Sequence, residues 1–452
     1  MALALRAPAV LLAHGFEFVD QQYQYVDPAW HLATGAPIHR TWEWIDGVRS
    51  QVYPLALAAL LRAVTALGVE GPLAALTLVR AVNAIVSLLP LAACWWLVMR
   101  WRPLAKPRLP LLLIALSGLT VHGVQPSGPA LASTLALTAA VLLVGPGRWP
   151  PLLAGLCLGF AFCCRFQDAL FGPAFLGVLL WQRRRAAAAW FVAGCVPGIV
   201  TQGLVDLHTV GGFLLVPWRY VQTNVGLGAA EKWQTQPWWF YAIAGVVPTV
   251  MLVPGLLRVA WARLCAGGVL VPTVLAGAVL HLGLHSFIAR KALRFEYPAL
   301  AMLLVVVAIG LAAAAGQAAR WHLRLLLVMH CGLWAWTSFA FGNAGAVRAA
   351  LWLSRQPDFT GAVLVVGGDP TSLGGYFHLR PPADRAVGVA RADFTTFWAQ
   401  NSGRFDHVVF VREPLPMEPP VASLELVAEF TGQFDQRRSD RRFVYRPVRA
   451  PK

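Results

Sequence analysis

Residues 17–54 read EFVDQQYQYVDPAWHLATGAPIHRTWEWIDGVRSQVYP, with three aspartates and two glutamates among aromatic and basic side chains. No other part of the first half of the chain is as polar. Around this island the 452-residue sequence is 58% hydrophobic and 13% charged. Its mean hydropathy is +0.59, and its apolar runs repeatedly approach the length that crosses a bilayer as a helix. The fold class these features indicate is an all-α polytopic membrane protein, with the polar island as a loop, residues 14–54, outside the bilayer.

Apolar segments lie near 72–99, 110–124, 129–145, 150–165, 168–181, 186–205, 238–257, 268–289, 296–316 and 322–343. Residues 1–13 are apolar but short, and are read as a short or truncated first helix rather than a signal peptide. Together these runs predict about ten to twelve membrane helices, several of them tilted, broken or partly re-entrant.

The formal charge of +16 does not point to nucleic acid, because the arginines fall mostly between apolar segments, where they set topology. If 52–69 stays on the side of the opening stretch, then Arg100, Arg102, Lys106, Arg108, Arg148, Arg183, Arg184, Arg185, Arg258, Arg263, Arg320 and Arg324 share one face. The positive-inside rule makes that face cytoplasmic. The non-cytoplasmic face then holds 14–54, the loop 206–237, the segment 285–298 and everything after about residue 344. The seven cysteines lie in or beside apolar runs without metal-type spacing, as packing residues do.

After Trp352 the runs GAVLVVGG (361–368), DHVVFV (406–411) and RRFVYRP (441–447) are short and β-type, separated by Gly, Pro and Asp. They predict a small soluble α/β domain over 353–452, attached to a transmembrane domain over 1–352. GGDPTSLGG (367–375) has the glycines of a phosphate loop but neither the lysine nor the spacing of a P-loop, so it reads first as a strand-to-loop turn.

Within the opening stretch Glu17, Asp20, Gln24, Asp27 and His31 recur at helical spacing, although Pro28 interrupts an unbroken helix. They make either a solvated helix face or a catalytic one. Trp42, Glu43, Trp44 and Arg49 nearby suit a sugar, whose apolar ring face packs on Trp while its hydroxyls seek carboxylates. An interfacial aromatic belt explains the tryptophans as well. Arg290, Lys291 and Arg294 place three cations on the non-cytoplasmic face, against the topology rule. A bound phosphate would account for them, and so would snorkelling to lipid headgroups. Asp206 and Asn224 are candidates to line a cleft. Arg165, inside an apolar run, either neutralises a lipid phosphate or pairs with Asp168.

The series VDQQYQYVDPAW, TWEW, RSQVYP, DLHTVGG, VQTN, PWWFY, ARKALRFEYP and FDQRRSDRRFVYR resembles glycosyltransferase family 22. This family includes the mannosyltransferases of GPI-anchor and N-glycan precursor assembly. Asp20 matches the family's loop aspartate, Gln24 its amide and Asp27 its later acid, while Gln21 replaces a glutamate and Trp30 a histidine. In the later HKE-x-RF element Lys291, Arg294, Phe295 and Pro298 are kept, Arg290 replaces His and Ala292 replaces Glu.

The resemblance implies a type-C glycosyltransferase fold with the active site on the non-cytoplasmic face, while the lack of a eukaryotic retention signal and the abbreviated N-terminus point to a bacterial plasma membrane. It implies a polyprenyl-phosphate sugar donor, mannose first and arabinose or glucose as alternatives, and a glycan or glycolipid acceptor. Asp20 would be the base, and Arg290, Lys291 and Arg294 would hold the donor phosphate. Asp27, Gln24 and Glu17 would orient the acceptor or the helix. No metal cage is evident in the sequence, and no cofactor is expected beyond the lipid-linked donor. A lipid transporter would instead need ionisable residues paired at mid-membrane, and few besides Arg80, Arg165 and Asp168 are available. The two missing acids keep a non-catalytic glycolipid binder open.

Overall fold

The structure, a computed structural model, describes residues 1–38, 40–101, 108–117, 119–228, 235–247, 270–313, 317–339, 342–379, 386–414, 423–432 and 440–448. Residues 248–257 of one expected apolar segment, and Arg102, Lys106, Arg258 and Arg263, lie outside the described residues. Two compact units emerge. One comprises Met1–Ala7, Asp46–Tyr53 and Ala81–Thr337; the other comprises Pro8–Ile45, Pro54–Arg80 and Ser338–Lys452. A boundary at 352/353 therefore does not isolate the late β-runs, whose unit also contains most of the opening polar stretch.

The first unit is helical. Trp149–Cys164 packs along Arg185–Val210 at a crossing built from glycine. Gly155 and Gly159 on one helix and Gly194 and Gly198 on the other are each four residues apart, and a Cβ at any of them would strike backbone of the facing helix. Small residues at this spacing let helix backbones approach closely, as in the close-packed pairs of membrane proteins. The Cys163 thiol donates to the Gly198 carbonyl at 3.0 Å across the seam. Phe171, Phe175, Phe191, Leu137 and Met302 fill the adjoining core.

Among the described residues, the helices long and apolar enough to cross a membrane include Pro72–Trp96 with 25 residues and Arg185–Val210 with 26. Shorter apolar helices include Val52–Ala66, Gly128–Leu142, Trp149–Cys164, Phe166–Trp181, Pro272–Phe287 and Tyr297–Ala308. At about 1.5 Å per residue, a helix such as Val52–Ala66 is shorter than the ~30 Å hydrocarbon layer.

The second unit contains a five-stranded sheet, β1 Val363–Val366, β2 Val387–Val389, β3 His407–Val411, β4 Leu424–Phe430 and β5 Arg442–Pro447, in the order β2-β1-β3-β5-β4. β1 pairs in parallel with β2 and β3, whereas β5 pairs antiparallel with β3 and β4. The three runs read from the sequence correspond to β1, β3 and β5. Alternation sends Val363 and Val365 to one face, with Tyr23, Ala349, Leu353 and Tyr376. It sends Leu364 and Val366 to the other, with Phe394 and Trp398. Tyr23 belongs to the opening stretch, so the first core joins the two ends of the chain. Its hydroxyl donates to the Thr371 carbonyl.

Candidate active site

In the second unit, the opening stretch is helical from Val19 to Thr34 but not uniformly so. Residues Val19–Gln21 and Asp27–Thr34 are α-helical, and Gln22–Val26 between them is a π-turn. Pro28 lies at the start of the second α-segment, where its missing N–H is tolerated. The residue inserted by a π-turn rotates the downstream segment by about 100°. The single polar face expected from the spacing is therefore split. Asp20 is half-buried, whereas Asp27 is fully buried.

Asp27 accepts from the backbone amides of Tyr376 (2.9 Å) and Phe377 (3.0 Å) and from the Gln22 amide (2.6 Å). Burial pushes its carboxyl up to about 6 against the pull of those three donors. The amides follow GGDPTSLGG, whose Gly374 and Gly375 have φ of +79° and +96°. A side chain at Gly375 would overlap Gln22. The glycine-rich loop thus does hold an anion in its backbone, and that anion is Asp27.

Gln24 donates to Glu43 at 2.9 Å, which brings the VDQQYQ and TWEW motifs together and leaves Glu43 buried. Trp42 and Trp44 flank it, both half-buried. The Glu17 amide donates to Gln21 Oε1 at 3.0 Å, so the amide at the family's glutamate position ties down the turn before Asp20. Arg80 donates to the Ala13 and Gly15 carbonyls at 2.7 and 3.0 Å, which accounts for a guanidinium inside an apolar helix. Trp30 meets the Phe377 ring edge-on at 5.3 Å.

The cations lie in the first unit. The guanidinium carbons of Arg165, Arg290 and Arg294 stand 5.3, 5.9 and 5.3 Å from the centroid of one ring, Phe295. Arg165 also donates to the Phe295 carbonyl at 2.7 Å and is 3.7 Å from Asp168, so both alternatives read from the sequence remain compatible with its place. Lys291 is buried and donates to the carbonyls of Gln236 (2.9 Å) and Ile288 (2.6 Å), which commits two of its three donors to holding the loop.

Asp206 is buried rather than cleft-lining. It accepts from Gln202 at 2.6 Å and from the Val216 amide at 3.1 Å, and Gln202 in turn accepts from Ser50 at 2.7 Å. Asn224 donates to the Tyr220 carbonyl at 3.0 Å, and Arg49 lies 5.6 Å over the Tyr220 ring.

Sequence spacing did not pick out His281, His285 and Glu296. They sit beside Asp168 as a buried cluster in which His281 Nδ1 is 2.9 Å from Glu296. Both histidines lie within an apolar run and the glutamate follows eleven residues later; their four-residue interval was the available signal.

Residues 1–353 match the model of the Alg9-like mannosyltransferase family. GPI mannosyltransferase 3 of Drosophila melanogaster is 23% identical over 257 residues, 56% of this chain and 44% of that protein. GPI mannosyltransferase 3 of Yarrowia lipolytica is 36% identical over 69 residues, 15% of this chain and 13% of that protein. The chain thus spans less than half the length of the curated relatives it matches. The crystal structure of ArnT from Cupriavidus metallidurans bound to undecaprenyl phosphate superposes with a TM-score of 0.62 and 14% identity, covering 100% of this chain and 98% of that one. The apo form of ArnT gives the same values. This likeness shows the fold, that of a type-C membrane glycosyltransferase with a small C-terminal sheet. With the apolar helices, it shows an integral membrane protein.

Proposed function

We propose that this chain, which belongs to the Alg9-like mannosyltransferase family, is an inverting enzyme that transfers mannose from a polyprenyl-phosphate donor to a hydroxyl of a glycolipid or glycan. The chemistry takes place on the non-cytoplasmic face of the membrane, in a bacterial plasma membrane. The acceptor oxygen attacks the anomeric carbon as the bond from that carbon to the phosphate oxygen breaks. The acceptor proton passes to Asp20, and polyprenyl phosphate leaves with the bonding electrons. Arg290 and Arg294, with Arg165 behind them and Lys291 holding their loop, offset the charge that develops on the leaving phosphate. Trp42 and Trp44 pack on sugar rings, and Asp27 orients the helix that carries Asp20. The donor arrives activated, so no cofactor enters.

The observation that carries this reading is the convergence of three guanidinium groups around Phe295. A phosphate bound beside that ring would meet several guanidinium donors at once, and a lipid phosphate is the anion a membrane-embedded transferase of this family handles. ArnT, which shares the fold, binds undecaprenyl phosphate in its crystal structure, and this supports the same donor class here.

The test is Asp20→Asn in purified membranes supplied with lipid-linked mannose. Transfer should fall by about 10²–10⁴-fold, the usual contribution of a positioned base. Full transfer by the variant refutes the assignment. Offering lipid-linked arabinose and glucose alongside mannose identifies the sugar. Donor binding by the wild type without release of lipid phosphate would make the protein a glycolipid binder, the reading that Gln21 and Ala292 leave available.

A further inference from the structure

We infer that His281, His285 and Glu296 form a binding site for a divalent transition-metal ion, with Zn2+ the best fit. This inference does not depend on the proposed activity. The two histidines are four residues apart on Leu270–Phe287, so they share a helix face. Glu296 follows the turn Leu293–Phe295. One donor atom from each of the three lies within 4.8 Å of the others, and all three side chains are buried.

The hydrogen-bond pattern fixes where lone pairs are left over. His285 Nδ1 is 3.0 Å from the His281 carbonyl oxygen and 3.3 Å from Glu296 Oε1, both acceptors, so Nδ1 carries the hydrogen. In the neutral ring, Nε2 then keeps its lone pair, and among the described residues that buried atom has no hydrogen-bond partner. His281 lies between two carboxylates, Nδ1 at 2.9 Å from Glu296 Oε2 and Nε2 at 3.5 Å from Asp168 Oδ1. Glu296 Oε1, 3.3 Å from His285 Nδ1, and both Asp168 oxygens are likewise buried, and none of the three makes a well-formed hydrogen bond among the described residues.

A neutral His281 has one N–H, which serves one of these carboxylates and leaves the other to a cation. Arg165, 3.7 Å from Asp168, is turned to the Phe295 carbonyl. What the cluster has in excess is lone pairs, and buried lone pairs without partners carry the full cost of desolvation. A cation relieves several of them at once.

Two imidazoles and a carboxylate are borderline ligands. They suit zinc and its neighbours better than calcium or magnesium, which take oxygen. With His281 bound through Nδ1, its Nε2–H donates to Asp168, the carboxylate–histidine–metal relay that sets the tautomer of many ligating histidines. Phe171 stacks on the His281 ring at 4.6 Å and 5°, which fixes its plane. The ion would join the end of Leu270–Phe287 to the turn that carries Arg294 and Phe295. Its role is to position that loop, and it takes no part in bond making.

The test uses the full chain, purified in detergent without a histidine tag, incubated with zinc sulfate and passed through gel filtration. Elemental analysis should find about one zinc per chain. His285→Gln and Glu296→Gln should each lose it, while Phe171→Leu, which loosens the same core without removing a donor, should keep it. Added zinc should raise the melting temperature of the wild type and leave both ligand variants unchanged. Cobalt should give a visible ligand-field band in the wild type and in Phe171→Leu but in neither ligand variant. Zinc well below stoichiometry, unchanged zinc in both ligand variants, or equal stabilisation by calcium would each overturn the inference.

Discussion

Gly159→Ala tests the seam between Trp149–Cys164 and Arg185–Val210. The new Cβ would stand 2.6 Å from the Cys195 carbonyl oxygen and 3.2 Å from the carbon atoms behind it. Even close C–H···O contacts hold carbon and oxygen about 3.3 Å apart, so the helices must separate by roughly 0.7 Å. The obstacle is backbone and cannot rotate away, which puts the cost in the upper part of the usual overpacking range, about 2–3 kcal/mol. Alanine's better helix propensity returns about 1 kcal/mol. The net loss is about 1–2 kcal/mol, or roughly 5–30-fold in the folded-to-unfolded ratio.

Gly177→Ala is the matched control, because a Cβ there meets nothing within 4 Å. It should be neutral, or stabilise by up to about 1 kcal/mol. Thermal unfolding in detergent can be followed with a thiol-reactive dye, since the Cys163 thiol is buried at the seam. Gly159→Ala should melt several degrees below Gly177→Ala. Equal melting temperatures, or a Gly159→Ala variant at or above wild type, would refute the close-packed seam.

Two further outcomes concern the second unit. Asp440 accepts from the amides of Gly345 (2.8 Å) and Ala346 (3.3 Å) at the start of Ala344–Leu353, so Asp440→Ala should cost about 1–2 kcal/mol and speed hydrogen exchange at those two amides. Burial pulls the His407 imidazole below its ordinary value. The unfolded chain therefore takes up a proton below about pH 6.5 that the folded sheet refuses, and stability falls as the solution is acidified. Limited proteolysis of 353–452 at pH 7.5 and 5.5 should show this loss in the wild type and a smaller one in His407→Phe.

Long periodic signals were legible in the sequence. The apolar runs, and the valine-rich β1 and β3 buried on both faces, carry their burial in composition alone. β2 was missed because three residues carry no pattern. β4, LELVAEF, was missed because helix-forming residues sit on a partly exposed strand with a register shift between Leu426 and Ala428.

Within the candidate site, the residue types of the opening stretch were readable but their facing was not. Helical spacing put Asp20 and Asp27 on one face, and the π-turn Gln22–Val26 separated them. The partners of Asp27 are backbone amides, which no side-chain pattern announces. Arg165 was recognised as costly in an apolar run, yet its neighbour Phe295 lies 130 residues away. The His281 cluster was hidden because two of its members look like ordinary residues of a hydrophobic helix.

Asp27 and the amide of Tyr376 are 349 residues apart in the chain. At ordinary synthesis speeds of about 5–20 residues per second, the stretch bearing Asp20 leaves the ribosome roughly 20–70 seconds before its anchor exists. During that interval a charged carboxylate and an incomplete hydrophobic core stand open beside the membrane. The last hundred residues thus supply the anchor and the core last, and a chain cut short before them would leave Asp27 and Tyr23 without these partners.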